Sequence, residues 1–68
     1  MSDETYKTVE LTGTSGQDIT EAMRNAVAKA SATLHNLDWV EVSSIRGRIS
    51  GDRIEQFQVT MKIGFRID

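Results

Sequence analysis

Hydrogen-bonding side chains alternate with large apolar ones along the stretch from Phe57 to Ile67. A period of two predicts a β-strand with one face on a core, because successive side chains of a strand point to opposite sides. An amide, a hydroxyl and two cations on the other face could bind a polar or anionic ligand. These four groups occupy even positions: Gln58, Thr60, Lys62 and Arg66.

Basic side chains concentrate in the last third of the chain. Residues 45–68 hold five basic and three acidic side chains, whereas residues 1–44 hold three basic and seven acidic ones. The five are Arg46, Arg48, Arg53, Lys62 and Arg66. Such a cluster could bind phosphate, pair with acids on a neighbouring subunit or simply be solvated. The net charge of −2 does not favour a nucleic-acid partner.

The composition argues against thiol chemistry and against a histidine or cysteine metal site within one chain. The chain has no cysteine, and His35 is its only histidine. A disulfide, a thiolate metal site and a single-chain histidine cluster are therefore excluded. As a catalytic base His35 would need a partner that the sequence does not identify. The polar, acidic start is unlike a signal peptide, no apolar run could span a membrane, and we predict a cytoplasmic protein.

The length of the chain, 68 residues, predicts one domain over residues 1–68. A chain this short buries only about 60% of its unfolded surface. Small domains usually gain stability from disulfides, metals or oligomerisation, and only the last remains here. We therefore expect an oligomer.

The first half of the chain predicts a strand, a glycine turn and a helix. The strand runs from Tyr6 to Leu11, and Gly13 and Gly16 form the turn, with Ser15 and Asp18 spaced as a capping box. A helix follows over Gln17–Leu34 and ends at His35 and Asn36. Its apolar stripe consists of Ile19, Ala22, Met23, Ala26, Val27, Ala30 and Leu34.

The second half predicts a hairpin of two long strands. The first runs from Leu37 to about Ile49 and changes phase, which places a bulge at Ser43-Ser44. Ser50-Gly51-Asp52 is a turn signal, and Ile54–Ile67 returns antiparallel. The fold class is α+β (β-α-β-β), a three-stranded antiparallel sheet wrapped around one helix. The first strand could lie beside the last, but the sequence does not decide this.

Trp39, the only tryptophan, stands at the start of the second long strand. Either it lies in the core, where its indole N–H needs a partner, or it stacks on a planar ligand or on a second copy of the chain. The pattern alone leaves both alternatives open.

Four segments of the sequence are informative together: Glu10–Ser15, Leu37–Val42, Ile45–Gly47 and Phe57–Arg66. They resemble the dodecins, a family of small flavin-binding proteins. None is diagnostic alone, but their order and spacing match over essentially the whole chain. The resemblance implies hollow dodecamers that bind flavins in pairs at subunit contacts, stacked between two tryptophans related by twofold symmetry.

The resemblance also implies roles for particular residues. Trp39 matches the stacking tryptophan, and Gln58 matches a glutamine that binds the pyrimidine edge of the flavin. Arg46 matches an arginine of members that bind FMN, which favours FMN over riboflavin. Asp38 and Arg66 match further positions near the ligand. Some bacterial members also hold coenzyme A near the end of the helix, a region matched by Lys29, Thr33, Leu34 and His35.

Three candidate functions are compatible with these residues. A flavin stacked between indoles would be quenched and out of reach of substrates, so we predict storage, buffering and photoprotection of FMN or riboflavin, without enzymatic activity. A flavin-dependent oxidoreductase would need an open flavin face and an acid or base, for which only His35 is available. A structural or interaction module would assemble without any ligand.

Overall fold

Three antiparallel strands and one helix account for nearly all of residues 3–67, the part of the chain that the computed structural model describes. The elements, in chain order, are β1 (Thr5–Ser15), α1 (Ile19–Ser31), β2 (Leu37–Ser50) and β3 (Arg53–Ile67). The predicted β-α-β-β order is confirmed. Within residues 3–67 no helix has the length and apolar character needed to cross a membrane.

The strand with the clearest alternation, β3, lies in the centre of the sheet. The strand order is β1-β3-β2, so the first strand does lie beside the last. β1 pairs with β3 from Thr5↔Ile67 to Ser15↔Phe57 without a register shift. β3 is therefore hydrogen-bonded on both edges.

The core forms between α1 and one face of the sheet, which we call the helix face. Ala22, Ala26 and Ala30 of α1 are buried against three odd-numbered residues of β3: Val59, Met61 and Ile63. Alanine suits this stripe because its small side chain lets the helix lie close to the sheet, and because it is the best helix former. The predicted stripe is wrong at Ile19, which is exposed.

Gly13 lies inside β1 and not in a turn, which corrects the prediction for this residue. A Cβ at Gly13 would lie 2.8 Å from the Cβ of Ala26 and closer still to the carbonyl oxygen of Ala22. The glycine therefore lets strand and helix approach each other. Because β1 continues through it to Ser15, the predicted end at Leu11 is also wrong, and the turn begins only at Gly16.

The helix starts two residues later than predicted, and Asp18 caps it. The Asp18 side chain accepts a hydrogen bond from the backbone N–H of Glu21 at 2.7 Å. Ser15, the predicted cap, accepts hydrogen bonds at its Oγ from the backbone N–H of Gln17 at 2.9 Å and from that of Asp18 at 3.4 Å, but it precedes the N-cap residue. An N-cap carboxylate is favourable because it satisfies a free N–H near the positive end of the helix dipole.

The helix ends at Ser31 with Ala32 as C-cap, earlier than the predicted end at Leu34. Asn36 does adopt the left-handed conformation, with φ of 62°. It does so in the connection just before β2, however, and not as a helix cap. His35 is exposed in the same connection.

β2 has an irregular register, as its change of phase predicted. A shift between Val42 and Ser44 confirms the bulge at Ser43-Ser44, and two more occur near Trp39 and Ile49. The helix packs on β1 and β3 and leaves β2 largely uncovered. Apolar side chains of β2 stay exposed as a result, Ile45 to 53% and Ile49 to 71%. Such a row is typical of a surface that contacts another chain.

The contact between Gly13 and the helix can be tested with two glycine variants. We expect Gly13→Ala to lower the free energy of unfolding by about 1–3 kcal/mol or more, because the new methyl group would overlap α1. At Gly16 a Cβ would meet only the carbonyl oxygen of Glu55, at 3.9 Å. Gly16→Ala is thus the matched control. Urea unfolding at equal subunit concentration should separate the two variants, and equal midpoints would show that the strand and helix tolerate the methyl group.

Candidate functional site

The sheet face turned away from α1, which we call the outer face, gathers most of the predicted flavin-binding residues. Val59, Met61 and Ile63 point toward the helix, so the even-numbered residues of β3 point away from it. Cross-strand partners share a face. Because Trp39 pairs with Gly64 and Arg46 pairs with Gln58, these residues all belong to the outer face.

Trp39 lies on the outer face with its indole flat against Gly64. A Cβ at Gly64 would lie 2.6 Å from Cδ2 of the indole and closer still to Cε2 and Cζ2. Three neighbouring ring atoms this close place the ring over the Gly64 backbone. The side chain is 42% exposed, so the alternative of a core tryptophan is wrong. With one face of the indole on the sheet, only the other face can receive a planar ligand.

Tyr6 supports the indole from the side. The ring centroids of Tyr6 and Trp39 are 4.9 Å apart, and the ring planes are tilted by 56°. This tilted arrangement is favourable because the positive edge of one ring meets the negative face of the other. Together, Gly64 and Tyr6 restrict the indole from below and from one side.

A polar cluster surrounds the phenol of Tyr6. Its hydroxyl donates to Glu4 Oε1 at 3.1 Å, and the other Glu4 oxygen lies 3.4 Å from Nη1 of Arg66. Asp38 and Arg66 line one cavity with Tyr6. The hydrogen bond to Glu4, and after it the Asp38 carboxylate, raise the pKa of Tyr6, because both favour the protonated phenol over the phenolate. Asp38, Trp39 and Arg66 are thus brought together at one end of the sheet.

A second cluster forms around Gln58 and Arg46. Arg46 donates from Nη2 to Ser44 Oγ at 3.1 Å and from Nη1 to Thr60 Oγ1 at 3.4 Å. The amide nitrogen of Gln58 donates to Gln56 Oε1 at 2.9 Å. Within residues 3–67 the guanidinium of Arg46 has neutral hydroxyls as partners, so its charge is available to an anion.

The two clusters lie at different ends of the outer face. Six positions of β3 separate Gln58 from Gly64, the residue under the indole. At about 3.3 Å per residue this is roughly 20 Å. Trp39 and Gln58 of one chain are therefore too far apart to contact the same edge of one stacked ring system.

The predicted coenzyme A residues have different surroundings near the end of α1. Lys29, in the last turn of α1, lines a cavity with residues 11–14 of β1. Leu34 packs against the core, whereas Thr33 and His35 are exposed in the connection to β2. Leu34 thus has a structural role. The contacts of the four residues do not bring them together at one cavity.

Two residues of the site, Gly64 and Tyr6, were not predicted from the sequence. Gly64 lies on the polar face of β3 but has no hydrogen-bonding side chain. Its signal was an interior glycine in an otherwise well-formed strand, which often marks a close approach by another group. Tyr6 gave no signal, because its contact with Trp39 depends on the pairing of β1 with β3.

Comparisons with known proteins agree with one another. The family model described as Dodecin matches residues 5–68. The dodecin of Thermus thermophilus is 44% identical over 63 residues, which are 93% of this chain and 91% of the relative. The structure of a dodecin from Streptomyces davaonensis is 48% identical, with a TM-score of 0.94 and 98% of each chain covered.

A dodecin structure from Streptomyces coelicolor is 46% identical, with a TM-score of 0.95 over 100% of this chain and 97% of that one. Further solved structures are variants of the Thermus thermophilus dodecin, one with a tryptophan replaced by phenylalanine and two with an arginine replaced by alanine. The α+β fold is the one these structures share, and a hollow dodecamer is consistent with them.

The carboxylates around Tyr6 can be tested by titration. Tyr6 is the only tyrosine, so the ultraviolet absorbance of tyrosinate reports it alone. We expect the titration midpoint of Tyr6 to lie above the ordinary value of 10.0. Glu4→Gln should lower this midpoint more than Asp38→Asn does, and the control Glu10→Gln should leave it unchanged. Since the folded pKa is raised, these contacts stabilise the fold below about pH 10, and the effect is lost as the phenol ionises. An ordinary midpoint in the parent would contradict the arrangement.

Proposed function

The chain belongs to the dodecin family, and on that basis we propose that it stores, buffers and photoprotects a flavin, FMN or riboflavin, held between subunits of a dodecamer. The observation that carries the proposal is the exposed indole of Trp39, which lies on Gly64 with one face available. A large aromatic ring fixed in this way on a sheet surface is suited to bind a planar ring system.

Stacking explains why tryptophan suits this position. The isoalloxazine of a flavin is flat and electron-poor, whereas indole is flat and electron-rich. Offset stacking of two such rings contributes about 0.5–1.5 kcal/mol beyond the area that it buries. Because the sheet covers one face of the indole, the second face of a flavin stack must be closed by something other than this chain. The indole of a second copy would close it.

The separation of the two clusters also favours a site shared between copies. Gln58 offers both an acceptor and donors, which suit the alternating carbonyl and N–H groups of the flavin edge. It lies roughly 20 Å along β3 from the residue under the indole. We propose that one copy supplies Trp39 and another supplies Gln58 to the same flavin. Ligand burial of this kind would stabilise the assembly by mass action.

Arg46 is the proposed phosphate ligand. Its guanidinium is oriented by the hydroxyls of Ser44 and Thr60, which leaves its charge uncompensated by a carboxylate among residues 3–67. A planar fork of N–H donors fits phosphate oxygens better than a lysine does. This supports FMN over riboflavin. Asp38 and Arg66 lie beside the indole and could contact the remainder of the ligand.

Storage is better supported than catalysis. A flavin enclosed between two indoles is shielded from substrates, and the indole would quench its excited state by electron transfer. His35, the one acid-base residue that the sequence offered, lies in the connection after α1. A binding protein that is not an enzyme is therefore the function we propose. Coenzyme A binding and a cytoplasmic location stay predictions.

The role of Trp39 can be tested by adding apo-protein to FMN and following flavin fluorescence. We expect strong quenching that saturates at about one flavin per chain. Trp39→Ala should remove it, because the stacking surface is lost. FMN that stays fluorescent with micromolar parent protein would contradict storage, and steady turnover of NADPH by the loaded protein would favour an oxidoreductase.

The role of Gln58 can be tested by a matched pair of substitutions. We expect Gln58→Leu to weaken FMN binding by about 1–3 kcal/mol, because the flavin edge loses its hydrogen-bonding partner. Gln17→Leu makes the same change in the exposed turn before α1 and should leave the affinity unchanged. Isothermal titration of both variants gives the comparison, and equal affinities would remove Gln58 from the site.

A further inference from the structure

We infer that Gly64 is a positioning residue that sets how deeply the Trp39 indole lies on the sheet, and through it the width of the space that a planar ligand enters. The inference rests on the proposed function, since it concerns the same stacking surface. It assigns a role to a residue that has no side chain to offer a ligand.

The backbone conformation does not explain a glycine at this position. Among the described residues the one glycine with a positive φ is Gly51, in the hairpin turn. Gly64 is ordinary strand, paired on one side with Thr8 and on the other with Trp39. Glycine weakens the interior of a strand, because it loses more backbone entropy on folding and has no side chain to pack. Another residue would therefore suit the strand better, unless something occupies the space of its side chain.

The indole of Trp39 occupies that space. A Cβ at Gly64 would overlap the fused six-membered ring, at 2.6 Å from Cδ2 and less from two further atoms. Ordinary carbon contacts lie at about 3.5–4.0 Å, so any side chain would displace the ring outward by roughly 1 Å or more. Tyr6 lies against the same ring with its centroid at 4.9 Å, which limits sideways movement.

An outward shift acts on ligand binding directly. Aromatic rings in a stack are in van der Waals contact, and close-packed groups have little room to give. Where two indoles face each other across a subunit contact, each would move into the shared space. The space would then be too narrow for the flavins that the present arrangement admits. Gly64 therefore sets the depth of the space in which planar rings can stack on Trp39.

A double-mutant cycle tests the inference. Phenylalanine has a single, smaller ring with no counterpart of Cζ2, so Trp39→Phe relieves part of the collision with a Cβ at Gly64. We expect Gly64→Ala to weaken FMN binding by about tenfold or more when Trp39 is present, and by less in the Trp39→Phe background. Gly16→Ala is the control for adding a methyl group elsewhere and should bind FMN as the parent does.

A second readout needs no flavin. Trp39 is the only tryptophan, so indole emission reports its position alone, and near-ultraviolet circular dichroism reports its packing together with that of Tyr6. We expect Gly64→Ala to change both signals while size-exclusion chromatography shows the parent's assembly. Failure of Gly64→Ala to fold, relieved by adding Trp39→Phe, would also support the contact.

Three outcomes would overturn the inference. They are unchanged FMN binding in Gly64→Ala, equal losses in both backgrounds, and failure to fold in both backgrounds. The first leaves the proposed function intact, because the parent still binds FMN. A parent that does not bind FMN would instead overturn the proposed function together with the inference.

Discussion

The strict alternation along β3 is the constraint on which the rest of the structure depends. Its odd-numbered residues Val59, Met61 and Ile63 form the sheet side of the core, and its even-numbered residues form the outer face. Because β3 is paired on both edges, neither set can turn over without breaking two ladders at once. One strand thus anchors the helix on one side and supports Trp39, through Gly64, on the other.

A single helix over part of one sheet face leaves apolar surface of the chain exposed to solvent. α1 packs on β1 and β3, while apolar side chains of β2, such as Ile45, remain exposed. A chain of 68 residues without cysteine has few other sources of stability. Burial of these surfaces between copies explains why assembly and a ligand site at the subunit contacts would go together. The distance between Trp39 and Gln58 along the outer face leads to the same conclusion.

Much of the fold could be predicted because it follows from local patterns. The period of two predicted β3, and the change of phase in β2 predicted the bulge at Ser43-Ser44. The turn predicted at Gly13 and Ser15 was wrong, because a glycine beside polar residues is typical of a turn, and the close approach of the helix explains why β1 continues. For the site, the sequence identified Trp39, Arg46 and Gln58 as candidates by their residue types. The contacts of Gly64 and Tyr6 with the indole could not be predicted, because they arise from pairing between distant segments.

In the proposed complex, a flavin contacts the indole face turned away from Gly64, and another copy of the chain completes the binding site. The most direct measurement is a crystal structure of the protein saturated with FMN. The account predicts an isoalloxazine stacked on that face of Trp39, with its pyrimidine edge bound by Gln58 of a different subunit. A flavin bound within one chain away from Trp39, or an indole that leaves Gly64 to enclose it, would contradict the account.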